Sequence, residues 1–113
     1  MEDCLFCKIL KGEIPSNAVY EDGYFYAFND IEPQAPVHVV MIPKKHYENI
    51  MEVPPDDETL KHLAEAIQNV VKKTGLQEKG FRVVMNTGED GGQTVGHLHF
   101  HILGKRSLKW PPG

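Results

Sequence analysis

No apolar run in this sequence approaches the roughly 20 residues of a membrane span, so no segment reads as a transmembrane helix. Cysteine is scarce: Cys4 and Cys7 are the only two, too few for a disulfide framework. Basic residues are outnumbered, 12 Lys and Arg against 16 Asp and Glu, for a net charge of −4. With no Lys/Arg stripe, a nucleic-acid polymer or an anionic membrane is not the expected partner. A single nucleotide is not excluded, because backbone N–H groups and a few side chains suffice to hold one. Internal repeats, linkers and low-complexity segments are also absent, and residues 1–113 read as a single domain. The beginning, Met1-Glu2-Asp3-Cys4, is acidic and lacks a signal-peptide pattern. Together with two cysteines suited to a reducing compartment, this gives the expectation of a cytoplasmic protein, with the nucleus also open to it.

What the sequence does contain is histidine, concentrated in His97-Leu98-His99-Phe100-His101-Ile102-Leu103. The alternation has period two, as on a β-strand: three imidazoles face one way and three apolar side chains the other. Ordinary exposed strand faces carry Thr, Lys, Glu and Ser. Imidazole can accept, donate, attack or ligate near neutral pH, so this face reads as reactive.

The remaining elements read as a sheet with helical cover. Asp3 is expected to cap a short helix carrying Phe6, Ile9 and Leu10, ended by Gly12 and Pro15. That helix puts Cys4 and Cys7 on one face. Val19–Glu21 and Tyr24–Phe28 flank Asp22-Gly23, which reads as a two-residue hairpin with Gly23 at positive φ. The run 37–42, bounded by Pro36 and Pro43, reads as a buried central strand whose single polar side chain is His38. Pro54-Pro55-Asp56-Asp57 opens one long helix with Leu60, Leu63, Ala64, Ile67, Val70 and Val71 on its apolar face and Gly75 as its stop. His62 falls on the wet face. Phe81–Met85 is a further strand. Five strands, one long helix and one short one predict an α+β domain with an antiparallel sheet.

The loop Asn86–Thr94 joins that last strand to the histidines. Gly91 and Gly92 allow close backbone approach to a ligand, Thr94 adds a hydroxyl and Asn86 an amide. Such a loop suits a phosphate, although most Gly-Gly loops are only turns. Histidines beside a phosphate cradle point to displacement at phosphorus through a covalent histidine intermediate. His99, in the middle with a neighbour on each side to set its tautomer, is the expected nucleophile.

These residues resemble the histidine triad (HIT) family, whose motif is His-φ-His-φ-His-φ-φ with φ apolar. Phe28–His38, Ile42–His46, Asn86–Val95 and the tail Trp110-Pro111-Pro112-Gly113 are similar to its Hint branch, so the resemblance covers nearly the whole chain. It implies a five-stranded HIT-like sheet with one long and one short helix, two such sheets joining in a homodimer. It implies hydrolysis of the P–N bond of purine nucleoside 5′-phosphoramidates, AMP-amine compounds among them, through a nucleotidyl-histidine. His99 would be the nucleophile, with His101 and His38 orienting it and contacting the phosphate region. Asn86, Gly92, Gln93 and Thr94 would hold the phosphate or leaving group. Asp30 would take the ribose hydroxyls, with Phe6, Ile9, Phe28, Asn29 and Ile31 around the base. AMP, GMP or their phosphoramidates are the implied ligands, and the Trp110 end would reach toward the partner's site. Two positions depart from close Hint proteins: Thr94 stands where they carry Ser, and Asn29 where they often carry His. His101 stands where the sugar-1-phosphate nucleotidylyltransferase branch has Gln, which favours hydrolysis over transfer.

Cys4-Leu5-Phe6-Cys7 has metal-ligand spacing but is half a site. His46 and His97 are the candidates for the other half. Some histidine triad proteins that keep both cysteines resemble this arrangement and hold a structural zinc. The alternative for the cysteines is a pair of small buried hydrophobes. Three other readings compete with the phosphoramidase: a nucleotide-binding adaptor with incidental hydrolysis, a dinucleoside polyphosphate hydrolase, and a module in which every histidine serves metal.

Overall fold

The computed structural model describes residues 3–113, so the first two residues of the acidic beginning lie outside it. Its centre is a five-stranded antiparallel sheet in the order β1-β2-β3-β5-β4. The strands are β1 (Ala18–Glu21), β2 (Phe25–Asn29), β3 (Val37–Pro43), β4 (Phe81–Val84) and β5 (Phe100–Gly104). β3 is buried along almost its whole length, as its apolar run requires.

Period-two alternation sorts the side chains onto two faces. Phe25, Ala27, Val39, Met41, Leu98, Phe100 and Ile102 form one core with Ala66, Val70 and Val71 of the long helix. Phe28, Val40 and Ile42 form a second core with Phe6 of the short helix α1 (Leu5–Leu10). His38 and His101 fall on this second face. Val40 sits opposite His101 in the β3–β5 register, and His38 lies two residues further along the same face.

Several local expectations are corrected. The cap of α1 is Cys4, not Asp3: Cys4 has extended backbone and its Sγ accepts the Cys7 N–H at 3.3 Å. In the β1–β2 hairpin, Gly23 is not at positive φ. The turn is held instead by Asp22, whose Oδ1 accepts the Tyr24 and Phe25 N–H groups at 2.7 Å each. The long helix is two pieces, α2 (Glu58–Lys61) and α3 (Leu63–Thr74), broken at His62. Asp57 caps the first piece, while burial of Ala66, Val70 and Val71 fixes the second, and His62 absorbs the offset. The His62 ring is not idle on a wet face: it stacks on Tyr24 with centroids 4.1 Å apart, whereas Ala64 is exposed. Gly75, at φ 73°, ends α3 as expected.

The last correction concerns the histidine strand. β5 begins at Phe100, so His97, Leu98 and His99 precede the ladder. Met41 pairs with Phe100, and two residues further Pro43 has no N–H to continue the ladder. The Leu98 N–H bonds the Tyr47 carbonyl at 2.7 Å instead. Among the described residues, no helix is long and apolar enough to cross a membrane.

Candidate active site

Hydrogen bonds fix where the imidazole protons sit. The nearest acceptor to His99 Nδ1 is the His97 carbonyl, at 2.7 Å in a buried setting. A carbonyl only accepts, so Nδ1 carries the proton and Nε2 carries the free lone pair. The tautomer is thus set by a backbone carbonyl, not by the flanking rings as the spacing suggested. His38 Nδ1 accepts the Gln34 N–H at 3.0 Å, which puts its proton on Nε2. That proton is donated to His101 Nδ1 at 2.8 Å, and His101 is left with its own proton on Nε2. One ring presents a lone pair and its neighbour, 5.0 Å away between centroids, presents a donor.

The environment favours the neutral forms of His38 and His101. Burial lowers the His38 pKa, opposed by the Asp30 carboxylate 3.4 Å away. Burial and repulsion from charge on His99 and His38 bring His101 down to about 4, again opposed by Asp30.

The three rings open onto a cleft of about 620 Å³. Phe6, Ile9, Phe28 and Ile31 line its apolar part, and Asn29, Asp30, Asn86, Gly92 and Thr94 add polar groups. Asp30 is held in place by accepting the Glu32 N–H at 2.8 Å. Gln93 does not line the cleft. Its amide nitrogen donates to the Glu48 and Val95 carbonyls at 2.7 and 2.9 Å, and its oxygen accepts the Gly88 N–H at 3.0 Å, so it braces the loop. Of the two loop glycines, only Gly92, at φ 79°, lines the cleft. Gly91 is packed against the Thr87 backbone, where a Cβ would collide. Leu5, Ile14, Pro15, Ser16, Asn17 and Val95 also line the cleft and were not anticipated. The stretch 14–17 carries no motif; it comes alongside β2 because the Asn29 N–H bonds the Asn17 carbonyl at 3.0 Å.

Cys4, Cys7, His46 and His97 form a separate cluster, with their ligand atoms within 4.8 Å of one another. His97 Nδ1 lies 3.3 Å from Cys4 Sγ, 3.6 Å from Cys7 Sγ and 3.1 Å from His46 Nδ1. Cys7 Sγ lies 3.2 Å from His46 Nδ1. Tetrahedral zinc, with Zn–S near 2.3 Å and Zn–N near 2.05 Å, would set S and N about 3.6 Å and two N about 3.4 Å apart. His97 Nε2 donates to the Pro43 carbonyl at 3.0 Å, leaving the Nδ1 lone pair facing the cluster. Burial is the main cause of a His97 pKa near 4 and, with Cys4 alongside, of a Cys7 thiol pushed up to about 11. The cluster therefore fits a closed four-ligand metal site.

Asp30, His38 and His101 also have ligand atoms close enough to share an ion, but their proton arrangement opposes it. To ligate through Nε2, His38 would need its proton on Nδ1, where the Gln34 N–H already donates. Only one of the two clusters is set up for metal, which counts against a module in which every histidine serves that purpose.

A sandwiched antiparallel sheet with this ring arrangement on the face that carries α1 defines a histidine triad protein. Comparison with known proteins agrees: the HIT domain family matches residues 11–108, and the chain belongs to that family. A HIT-like protein of Synechococcus elongatus is 50% identical over 113 residues, 99% of this chain and 98% of the relative. Protein HitA of Neisseria gonorrhoeae is 43% identical over 105 residues, 92% of this chain and 97% of that protein. Among solved structures, a HIT family hydrolase from Legionella pneumophila Philadelphia 1 superposes with a TM-score of 0.90 at 48% identity, covering 98% of this chain and 100% of that one. A HIT family hydrolase from Clostridium thermocellum gives 0.91 at 44% identity, covering 96% of each chain.

Proposed function

We propose that this protein is a hydrolase of the Hint branch that cleaves the P–N bond of purine nucleoside 5′-phosphoramidates. The observation that carries this reading is the His99 tautomer: Nδ1–H is tied to the His97 carbonyl, so the Nε2 lone pair is free on a ring that lines the cleft. The nucleoside lies in the cleft with its base against Phe6, Ile9, Phe28, Asn29 and Ile31 and its ribose on Asp30. Asn86, Gly92 and Thr94 surround the phosphate and leaving group; Gln93 contributes by bracing that loop. His99 Nε2 attacks phosphorus and the P–N bond breaks. His101 donates a hydrogen bond from Nε2–H to the departing nitrogen, which leaves as the amine with a proton drawn from solvent. Water then displaces the histidine from phosphorus and releases a proton to solvent, so the net reaction is phosphoramidate plus water to nucleotide plus amine. His38 holds His101 in the donor-out tautomer throughout.

Cys4, Cys7, His46 and His97 would hold a structural zinc, which stabilises the fold and takes no part in the displacement. The functional unit is a homodimer. β4 is an edge strand with exposed Phe81 and Val83, available to pair with a second copy, and Trp110 is 83% exposed. The reduced cysteine pair suits the cytoplasm.

The test is turnover of an AMP-amine compound beside a diadenosine polyphosphate. The reading expects the first to be hydrolysed preferentially and His99→Ala to abolish turnover while still binding AMP. Preference for the diadenosine substrate contradicts it in favour of a polyphosphate hydrolase. Binding without turnover favours an adaptor.

A further inference from the structure

We propose that His97 is a positioning residue, through which the metal-loaded Cys4–Cys7–His46–His97 cluster fixes both the aim of His99 and one wall of the nucleotide cleft. The proposal rests on the zinc and hydrolase readings above and adds a coupling between them.

His97 belongs to both sites. Its ring is fully buried, with Nδ1 in the cluster and Nε2 bonded to Pro43. Its carbonyl is the acceptor that sets the His99 tautomer. Residues 97–99 lie outside the sheet, so no strand ladder holds that carbonyl. Two backbone bonds tie the segment, His97 N–H to the Val95 carbonyl at 2.9 Å and Leu98 N–H to the Tyr47 carbonyl. The ring anchor supplies the restraint that the ladder does not.

α1 makes the second connection. At six residues it is too short to persist alone. Cys4 and Cys7 pin it to the cluster. Between them, Phe6 packs edge-on against His97 and His99, with centroids 5.9 and 5.1 Å away. Leu5, Phe6 and Ile9 of the same helix line the cleft. The Nδ1 atoms of His97 and His46 lie 3.1 Å apart, and a metal shared by the four ligand atoms would hold both rings in place. Loosening there moves the His97 carbonyl and the α1 wall together. A displacement of about 1 Å at a reacting group costs on the order of 100-fold in rate.

The test uses Cys4→Asp. Asp is a preferred helix cap and keeps an oxygen ligand, so the chain stays folded and binds zinc more weakly. Zinc is titrated while occupancy is read by equilibrium dialysis. The His99 tautomer is read by imidazole ¹⁵N shifts, and kcat and KM with an AMP-amine substrate. As occupancy rises, His99 is expected to pass from two exchanging tautomers to Nδ1–H alone. kcat rises about 10- to 100-fold with the same midpoint, and KM falls as α1 closes the base wall. A tautomer and kcat that stay flat while occupancy rises overturn the proposal. If Cys4→Asp does not fold, the wild-type chain stripped with chelator below its unfolding temperature gives the same readouts. The ¹⁵N signal needs no turnover, so a failure of the hydrolase reading and a failure of this coupling are distinguishable.

Discussion

Removing the metal from the Cys4–Cys7–His46–His97 cluster should lower stability by an amount the geometry bounds. Four of the six ligand-atom pairs lie 3.1–3.6 Å apart, within about 0.4 Å of tetrahedral zinc, and all lie within 4.8 Å. Little reorganisation is needed, and binding energy passes into the folded state. At free zinc 1,000 times the dissociation constant, linkage adds about 4 kcal/mol. For a 113-residue domain, each kcal/mol moves Tm by about 4 °C, so saturation raises Tm by about 15 °C. The assay is thermal unfolding followed by circular dichroism, zinc-loaded against chelator-stripped, with Cys7→Ala as a second arm. Native mass spectrometry should count one zinc per chain, because the His38 proton arrangement disfavours the Asp30–His38–His101 cluster. A shift under about 3 °C, an unresponsive Cys7→Ala, or two tightly held ions per chain would refute the reasoning.

Three further outcomes follow from the same geometry. His38→Asn keeps an acceptor where Nδ1 meets the Gln34 N–H but loses the donor to His101, whereas His38→Gln keeps the donor. The Asn variant should lose about 100-fold in kcat and the Gln variant under about tenfold, measured at saturating AMP-amine substrate; equal losses would contradict the relay. Folded His101 titrates near 4 and His38 is also lowered, so the unfolded chain binds more protons between about pH 4 and 6.5. Stability should rise with pH across that window and be lost toward pH 4. The slope from His101 is at most about 1.4 kcal/mol per pH unit, less because solvent reaches the cleft, and His101→Gln should flatten it in urea titrations. Gly91→Ala sets a Cβ against the Thr87 backbone and should cost about 1–3 kcal/mol, raising KM as the phosphate loop shifts; an unchanged melt and KM would show that the loop gives way freely.

Periodicity made much of this legible from the residues. Alternation around His97–Leu103 sorted rings from core, the Val37–Ile42 run announced a central strand, and the glycine loop fell beside the rings. What stayed hidden depends on atoms that carry no side-chain signature. Pro43 ends the ladder before His99, and the partner that sets the His99 tautomer is a carbonyl, which every residue has. The helix break at His62 arises from competition between the Asp57 cap and the buried α3 face, invisible to a count of apolar spacings. Ile14–Asn17 reached the cleft through two bonds to β2, Asn29 N–H to the Asn17 carbonyl and the Ser16–Tyr26 hydroxyl pair. Gln93 looked like a ligand contact because it sits in the right loop, yet its amide is engaged by the backbone of Gly88, Glu48 and Val95.

The central claim is that His99 Nε2 forms a bond to phosphorus. Intact-mass spectrometry of the protein mixed with a nucleoside phosphoramidate and quenched in alkali tests it most directly. The account predicts one added nucleotide mass on the wild-type chain and none on His99→Ala. An adduct on both, or on neither while substrate is consumed, would contradict it.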